Sequence, residues 1–153
     1  MTNKNLVLVS GANGHLGNNL VRLLIKKGFD VRASVRNNRN YNCFKELNCE
    51  VVHADITDKA SFVRALNGVE TFYAVGAAFK LWAKDPQQEI YEVNMQGTRN
   101  TIEAAAEAGV KRIIYVSSIA ALDYNNLPIK ESNGYNSDRR DAYYNSKNDG
   151  ERL

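Results

Sequence analysis

The chain has 153 residues, of which 44% are hydrophobic and 24% charged, and its formal net charge is +3. This length predicts one domain with an apolar core, and the composition excludes a disordered chain. No apolar run is long enough for a transmembrane helix, the N-terminus does not have the pattern of a signal peptide, and the charge gives no reason to expect nucleic acid as a partner.

The two cysteines, Cys43 and Cys49, fit no metal-binding or redox spacing. Two free thiols without a signal peptide favour a reducing compartment, so we expect a cytoplasmic protein without a metal site.

Short apolar runs alternate with helical patterns along the chain. The apolar runs predict five strands, at 6–10, 31–35, 51–54, 69–75 and 113–117. A first helix is predicted before a stop at Gly28, and a second over 58–66. A third helix is predicted from an N-cap at Asp85, with Pro86 in its first position, to a stop at Gly109.

The third predicted helix has one stripe of side chains that is expected to face inward. The stripe consists of Ile90, Asn94, Gly97, Thr101, Ala105 and Ala108.

The chain after the fifth strand has two parts. Residues 120–140 are polar and rich in turn formers, which predicts a loop, and a further helix is predicted from Asp141 onward.

The alternation of strands and helices predicts an α/β fold of the Rossmann type. Its doubly wound parallel sheet is expected in the strand order 3-2-1-4-5, with ligands at the carboxyl ends of the strands. We therefore predict a single dinucleotide-binding domain over residues 1–153. The fifth strand is expected to be an uncovered edge of the sheet.

A glycine-rich turn follows the first predicted strand in the segment VLVSGANGHLG. Gly11, Gly14 and Gly17 allow a tight turn, a close approach to a pyrophosphate and close packing of the helix on the sheet. The helix N-terminus offers its amide groups to the phosphates. The candidate cofactor contacts within this turn also include Asn13, His15 and Leu16. His15 could touch a phosphate, although a side chain that faces solvent is the favoured interpretation.

The end of the second predicted strand indicates which dinucleotide is bound. Asp30 precedes this strand, so it lies at the wrong end to hold a ribose. The segment from Ser34 to Asn37 contains no carboxylate but contains Arg36, with Arg39 nearby. An arginine fits the 2′-phosphate of NADP(H), so we predict NADP(H) rather than NAD(H). The alternative is that both arginines are solvated surface charges.

Asp55 and Ile56 follow the third predicted strand, at another carboxyl end of the sheet. Asp55 could accept the adenine amino group and Ile56 could pack on the adenine ring. A turn residue that precedes a helix is an equally good interpretation of Asp55.

Tyr143 and Lys147 lie four residues apart in the last predicted helix, so they share one face. A free tyrosine has a pKa of about 10, and a nearby ammonium stabilises its phenolate form. Such a tyrosine can donate a proton to a carbonyl oxygen or remove one from an alcohol. Tyr144 competes for this assignment.

Ser117 and Ser118 end the fifth predicted strand and point to opposite faces of the sheet. One of the two hydroxyls could therefore hydrogen-bond the substrate oxygen.

Taken together, these segments resemble the extended branch of the short-chain dehydrogenase/reductases. VLVSGANGHLG is similar to that family's cofactor loop, and VRASVRN is similar to the second strand of its dihydroflavonol-reductase group. NMQGTRN, VKRIIYVSSIAAL and YYNSK follow in the family's order. The resemblance implies that Tyr143 is the acid–base, that Lys147 orients the nicotinamide ribose and assists Tyr143, and that Ser118 polarises the substrate oxygen. It also implies that Asn94 helps to position the lysine through water, and a polar helix residue bonded to the main chain is an equally good interpretation of Asn94.

The chain departs from the family pattern at three places. After the fourth strand it reads Tyr73-Ala74-Val75-Gly76-Ala77, which alters the wall of the nicotinamide site that Ala74 and Gly76 would line. Ser10 stands where the family usually has threonine. Extended members also continue into a region that selects the substrate, so we expect this chain to be a truncated product or a fragment that lacks that region.

These observations predict an NADP-dependent oxidoreductase that acts on a small-molecule carbonyl or secondary alcohol. A nucleotide-sugar epimerase or dehydratase remains an alternative, and so does a dinucleotide-binding module without turnover. The resemblance also implies a homodimer formed through helix 85–108 and the catalytic helix.

Overall fold

The computed structural model describes residues 6–37 and 42–153. The chain divides into two compact units. We call them the sheet unit (Met1–Ala77 and Asn100–Val116) and the helical unit (Ala78–Arg99 and Ser117–Leu153). The assignment of the whole chain to one dinucleotide-binding domain stays a prediction.

The sheet confirms the predicted α/β fold. Its parallel strands lie in the order β3-β2-β1-β4-β5. The strands are β1 (Leu6–Val9), β2 (Asp30–Val35), β3 (Glu50–His53), β4 (Thr71–Ala74) and β5 (Arg112–Tyr115). Each lies within a residue or two of its predicted place, because short apolar runs mark strands that are covered on both faces.

Two apolar clusters cover the two faces of the sheet. Leu8 packs with Phe62 and Phe72, whose ring centroids are 5.9 Å apart, whereas Val7 and Val9 pack with residues from α1 and β2. Successive residues of β1 therefore serve opposite faces, as the two-residue period of a strand requires. The strand that the glycine turn follows is thus buried on both sides.

The helices are α1 (His15–Lys26), α2 (Lys59–Leu66), α3 (Val93–Glu107) and α4 (Ala142–Gly150). All four were predicted. The helix expected from Asp85 begins with a π-helical turn, Gln87–Glu92, that the sequence did not indicate. The side chain of Asp85 caps this turn by accepting from the Gln88 N–H, and Glu89 accepts from the Asp85 N–H.

The predicted inward stripe of this helix is confirmed. Its members are buried except for Ala108, which is half-buried; the buried members are Ile90, Asn94, Gly97, Thr101 and Ala105. Gly109 has φ +71° and ends the helix as expected.

β5 is an edge strand, as predicted, and Ile113 and Ile114 on it are exposed. Within the described residues no helix is long and apolar enough to cross a membrane, and no three potential metal ligands gather. Cys43 and Cys49 are free thiols. Burial, and secondly the neighbouring Cys43 thiol, raises the pKa of the Cys49 thiol above its ordinary value.

Candidate functional site

The glycine turn of the sheet unit is a compact loop between β1 and α1. The Gly14 N–H donates to the Gly11 carbonyl at 2.9 Å, and the Ala12 N–H donates to the Ser34 carbonyl on β2 at 3.0 Å. Gly14, the N-cap of α1, makes no side-chain cap bond in the part of the chain that the structure describes, and residues 13–16 are exposed. The first turn of α1 is thus presented to solvent with its amides unmatched by a capping side chain.

Backbone packing inside this loop requires glycine at two positions. Gly11 has φ +61°, and a Cβ there would lie 3.0 Å from the Gly76 Cα. A Cβ on Gly17 would lie 2.2 Å from the Gly11 carbonyl oxygen. The loop and the start of α1 therefore form a shallow backbone cradle that fits a diphosphate, because anions bind at helix N-termini where main-chain amides converge.

Ser10 fastens the segment after β4 to this cradle. Its hydroxyl accepts from the Val75 and Gly76 N–H groups at 2.9 and 3.0 Å and lies 3.4 Å from the Tyr73 carbonyl, to which it donates. The sequence identified Ser10 only as a replacement for threonine and gave no signal for these bonds.

The two residues expected to line the cofactor after β4 lie in different surroundings. Gly76 packs directly against Gly11. Ala74 is 7% exposed, its side chain belongs to an apolar cluster, and its carbonyl accepts from the Val116 N–H at 3.0 Å. Gly76 therefore borders the cradle, whereas the Ala74 side chain faces the core.

Arg36 is exposed two residues beyond Ser34, whose carbonyl bonds the glycine turn. Arg36 thus lies at the end of β2 that carries the cradle. Asp30 pairs with Leu6 at the opposite end of the strands, which supports its rejection as a ribose ligand. Arg39 lies outside the described residues.

Asp55 forms the turn that precedes α2. One carboxylate oxygen accepts from the Thr57 N–H at 2.9 Å and from the Thr57 hydroxyl at 2.7 Å. Ile56 is half-buried against an apolar cluster, and its carbonyl accepts from Asn100 at 2.9 Å. These bonds fit the interpretation of Asp55 as a turn residue, and they use one of its two carboxylate oxygens. The contact of Asp55 and Ile56 with adenine stays a prediction.

The helix α4 begins at an N-cap in the helical unit. The Asp141 side chain accepts from the Tyr144 N–H at 2.9 Å, which fixes the first turn. Tyr143 is half-buried and Lys147, one turn later, is 3% exposed. Tyr144 is 39% exposed, so Tyr143 is the more buried of the two candidate tyrosines, and the choice between them stays a prediction.

Asn94 joins three segments of the helical unit. Its carbonyl oxygen accepts from the Ala78 N–H at 2.6 Å, and its amide donates to the Ala78 carbonyl and to the Ser146 hydroxyl, each at 2.9 Å. Ser146, 0% exposed, donates to the Tyr143 carbonyl at 2.7 Å. Asn94 therefore contacts the residue before Lys147, and the sequence did not identify Ser146 as the partner.

The two candidate serines are used differently. The Ser118 hydroxyl oxygen accepts from the Ala120 N–H at 3.2 Å and so caps the 3-10 turn Ile119–Ala121. The Ser117 hydroxyl is buried with no hydrogen-bond partner among the described residues. The cap bond uses the Ser118 hydroxyl only as an acceptor, so the hydroxyl proton can still be donated. The predicted hydrogen bond from Ser118 to the substrate oxygen is therefore compatible with this cap.

Two buried asparagines connect α4 to the turn that carries Ser118. The Asn148 amide donates to the Asn136 carbonyl at 2.6 Å and to the Ala121 carbonyl at 3.4 Å, and the Asn136 N–H donates to Ala121 at 2.9 Å. The region 120–140 was predicted to be a loop, and its polar composition concealed these contacts.

An ion pair anchors the end of α4. Arg139 donates to both carboxylate oxygens of Asp149 at 3.0 and 2.6 Å, and the Tyr91 hydroxyl donates to one of them at 2.8 Å. The Arg139 guanidinium holds the pKa of Asp149 below its usual range, and the bond to Asp149 raises the pKa of Tyr91. Sequence analysis identified none of these three residues.

This sheet order, together with a glycine turn after β1 and a tyrosine–lysine pair on α4, is the architecture of the extended short-chain dehydrogenase/reductases. Within that class the chain belongs to the 3-beta hydroxysteroid dehydrogenase/isomerase family, whose profile matches residues 8–153.

Curated relatives include reductases of this group. The chain is 41% identical over 118 residues to sterol demethylase protein B of Methylococcus capsulatus, which covers 77% of this chain and 36% of that protein. It is 36% identical over 114 residues to a putative dihydroflavonol 4-reductase of Synechocystis, which covers 74% of this chain and 33% of that protein. The chain thus spans about a third of the length of these relatives.

Solved structures share the fold. A short-chain dehydrogenase/reductase superfamily protein from Agrobacterium tumefaciens with bound NAD has a TM-score of 0.80 at 28% identity, covering 96% of this chain and 43% of that one. The yeast methylglyoxal/isovaleraldehyde reductase Gre2 complexed with NADPH has a TM-score of 0.85 at 21% identity, covering 96% of this chain and 51% of that one.

Proposed function

We propose that the chain is the dinucleotide-binding part of an NADP-dependent oxidoreductase that interconverts a carbonyl compound and a secondary alcohol. The observation that carries the proposal is Lys147, a charged side chain that is 3% exposed one helical turn after Tyr143. An ammonium beside a tyrosine stabilises the phenolate form, so the placement of Lys147 supports a proton-transfer role for Tyr143.

The sheet unit supplies the groups that hold the cofactor. The amides at the start of α1 and the cradle formed by Gly11, Gly14 and Gly17 fit the diphosphate of a nicotinamide dinucleotide. Arg36, exposed at the end of β2, fits a 2′-phosphate, and no carboxylate stands between Ser34 and Asn37 to repel it. These features favour NADP(H), while the solved neighbours include proteins bound to NADPH and to NAD.

The helical unit supplies the proton chemistry. The Tyr143 hydroxyl donates its proton to the carbonyl oxygen during reduction, and the Tyr143 phenolate takes a proton from the alcohol during oxidation. The Lys147 ammonium stabilises the phenolate in both directions. The Ser118 hydroxyl donates a hydrogen bond to the same oxygen, where negative charge develops. When bound, the nicotinamide supplies or takes up the hydride.

A pair of matched tyrosine variants tests the proton assignment. In an assay of NADPH oxidation with small ketones and aldehydes, Tyr143→Phe is expected to lower kcat by at least about a hundredfold, the usual contribution of general acid–base catalysis. Tyr144→Phe is the control and should retain most of the rate. NADPH binding should survive both changes, and equal losses in the two variants would remove Tyr143 from the proposed mechanism.

Titration with NADPH and NADH tests the cofactor assignment. The wild-type chain should bind NADPH more tightly, and Arg36→Glu should weaken NADPH by about 10- to 100-fold, the value of one or two charge-assisted hydrogen bonds. NADH binding should change little. Arg64→Glu, a change at an exposed residue of α2, should leave both affinities unaltered. Equal or tighter binding of NADH by the wild type would overturn the preference for NADP. NADPH binding without turnover would instead identify a binding module.

A further inference from the structure

Ser118 begins a short turn, residues 118–122, which we call the Ser118 turn. The Ala120 N–H donates to the Ser118 hydroxyl oxygen at 3.2 Å, and the Ala121 N–H donates to the Ser118 carbonyl at 3.0 Å. Ala121 is fully buried. The hydroxyl and the main chain of Ser118 are therefore both tied to the two alanines that follow.

The carbonyl group at the end of the 3-10 turn is bonded by α4 and by a second segment. The Asn148 amide donates to the Ala121 carbonyl at 3.4 Å and to the Asn136 carbonyl at 2.6 Å. The Asn136 N–H donates to the Ala121 carbonyl at 2.9 Å, and an antiparallel bridge one residue further along continues this pairing. Asn148 thus joins both segments to α4.

Asn148 makes both bonds with the same end of its side chain. Its amide nitrogen is the donor in each, whereas its carbonyl oxygen has no hydrogen-bond partner among the described residues. The side chain is 2% exposed. Each hydrogen bond requires a distance and an angle, so a donor that two carbonyls share is restricted in direction. Removal of this one NH2 group therefore removes the whole connection.

The position of Asn148 in α4 relates this connection to the proposed chemistry. Asn148 directly follows Lys147, and Tyr143 lies in the first turn of the same helix. In the proposed reaction the hydroxyls of Ser118 and Tyr143 reach one carbonyl oxygen, which requires their spacing to be held to within about 0.5 Å. Helix α4 fixes Tyr143 relative to Asn148, and the Ser118 turn fixes Ser118 relative to Ala121. The bonds of Asn148 connect these two parts.

We propose that Asn148 is a positioning residue, which holds the Ser118 hydroxyl at the distance from Tyr143 that a shared substrate oxygen requires. Asn148 acts through the main chain of the Ser118 turn and does not itself touch the substrate. The inference rests on the proposed function, because it assumes that Ser118 and Tyr143 meet one oxygen. It goes beyond that function by assigning a role to a residue outside the expected catalytic set.

A double-mutant cycle between Asn148 and Ser118 tests the proposal, with NADPH and diacetyl as substrates. Ser118→Ala should lower kcat by about a hundredfold, the usual cost of losing one donor to a developing oxyanion. Asn148→Ala should lower kcat by about tenfold and change the KM for NADPH by less than about twofold. In the Asn148→Ala background, Ser118→Ala should cost only about tenfold more, because a displaced hydroxyl stabilises the oxygen less.

A merely structural role of Asn148 predicts a different result of the cycle. Loss of folded protein lowers the rate by the same factor in both backgrounds, so Ser118→Ala would still cost about a hundredfold in the Asn148→Ala chain. That additive result would overturn the proposal. Asn148→Ser has a hydroxyl that can donate to one of the two carbonyls and should have an intermediate kcat. It replaces Asn148→Ala in the cycle if the alanine variant does not fold.

Asn145→Ala is the matched control. Asn145 is also a buried asparagine of α4, and its amide donates to a main-chain carbonyl at 2.8 Å, but that carbonyl belongs to Arg139 and not to the Ser118 turn. Asn145→Ala should keep most of the wild-type kcat. A loss as large as that in Asn148→Ala would overturn the proposal, because it would show that any weakening of α4 has the same effect.

Amide hydrogen exchange followed by NMR separates this inference from the proposed function, because it needs no substrate. The Ala120 N–H reports the bond to the Ser118 hydroxyl. It should exchange at least about tenfold faster in Asn148→Ala than in the wild type, and at the wild-type rate in Asn145→Ala. Unchanged exchange in Asn148→Ala would overturn the proposal, whether or not diacetyl is reduced. Failure of the wild type to bind NADPH or to reduce any small carbonyl compound counts against the proposed function instead.

Discussion

The two units of the chain are stabilised by different kinds of contact. In the sheet unit the largest fully buried side chains are apolar, among them Phe62, Phe72 and Leu8. In the helical unit α4 buries polar side chains, namely Asn145, Ser146, Lys147 and Asn148. Apolar packing depends on volume and is non-directional, whereas a buried amide or hydroxyl must find a partner at a fixed distance and angle.

This difference matches the chemistry proposed for each unit. A dinucleotide needs a broad backbone cradle at the end of a rigid sheet, and apolar burial supplies rigidity. A proton donor needs placement to within a fraction of an ångström, and hydrogen bonds such as those of Asn94 and Asn148 supply direction. The contrast predicts that the two units respond differently to substitution.

Deletion of a core ring in the sheet unit should have the largest effect. Phe72→Ala empties a site that is 0% exposed and removes the contact with Phe62. We expect the free energy of unfolding to fall by about 3–5 kcal/mol, measured by urea denaturation. Phe29→Ala, at a ring that is 37% exposed, should cost much less. Similar losses in both variants would contradict the view that apolar packing stabilises this unit.

Substitutions that crowd the backbone of the cradle should have the second-largest effect. Gly17→Ala places a Cβ 2.2 Å from the Gly11 oxygen, whereas Gly14→Ala places one 3.2 Å from the same atom. We expect Gly17→Ala to cost about 1–3 kcal/mol of stability and to weaken NADPH binding as the loop is displaced. Gly14→Ala should be the milder change by both measurements. The reverse order would show that the loop adapts and that the cradle is not fixed by packing.

Loss of a buried amide should affect the helical unit locally. Asn148→Ala leaves the Asn136 carbonyl without the amide donor that it has at 2.6 Å, at an expected cost of about 1–3 kcal/mol. Amide hydrogen exchange should accelerate in α4 and around residues 119–136, while β1 and β4 keep their protection. Asn126→Ala, at an exposed loop position, is the control. Uniform acceleration across the sheet would mean that the asparagine network is not local.

The smallest effect is expected from the ion pair at the end of α4, and it depends on pH. Arg139 lowers the pKa of Asp149 in the folded chain, whereas an unfolded aspartate has a pKa of about 3.9. The pair therefore stabilises the fold above about pH 4 and loses its contribution as pH falls through the lower, folded pKa. Asp149→Asn should flatten the stability profile in that acidic range and cost about 1 kcal/mol or less at neutral pH. An unchanged profile between wild type and variant would exclude this linkage.

The features that sequence analysis predicted are those with a period or a steric requirement. Val7, Leu8 and Val9 mark β1 by their continuous apolar character, and Gly11 and Gly17 mark the turn because no larger residue fits. The stripe from Ile90 to Ala105 follows the helical period, so its burial was predicted residue by residue.

Sequence analysis missed the features that depend on hydrogen bonds from polar side chains to residues far away in the chain. Ser10 bonds main-chain groups more than sixty positions away, and Asn94 bonds Ser146 fifty-two positions away. Nothing in a local pattern distinguishes a buried serine or asparagine from one in a solvated loop, because both are polar turn formers.

The contact between Gly11 and Gly76 has a consequence for protein engineering. Each glycine meets the other backbone to backbone, so an enlargement of one cannot be relieved by shrinking its partner, which already has no side chain. The cradle therefore has no room for a larger side chain at either of these two positions. Under the proposed cofactor assignment, exchange of one nicotinamide coenzyme for the other should instead be attempted at Arg36, whose side chain is exposed at the end of β2.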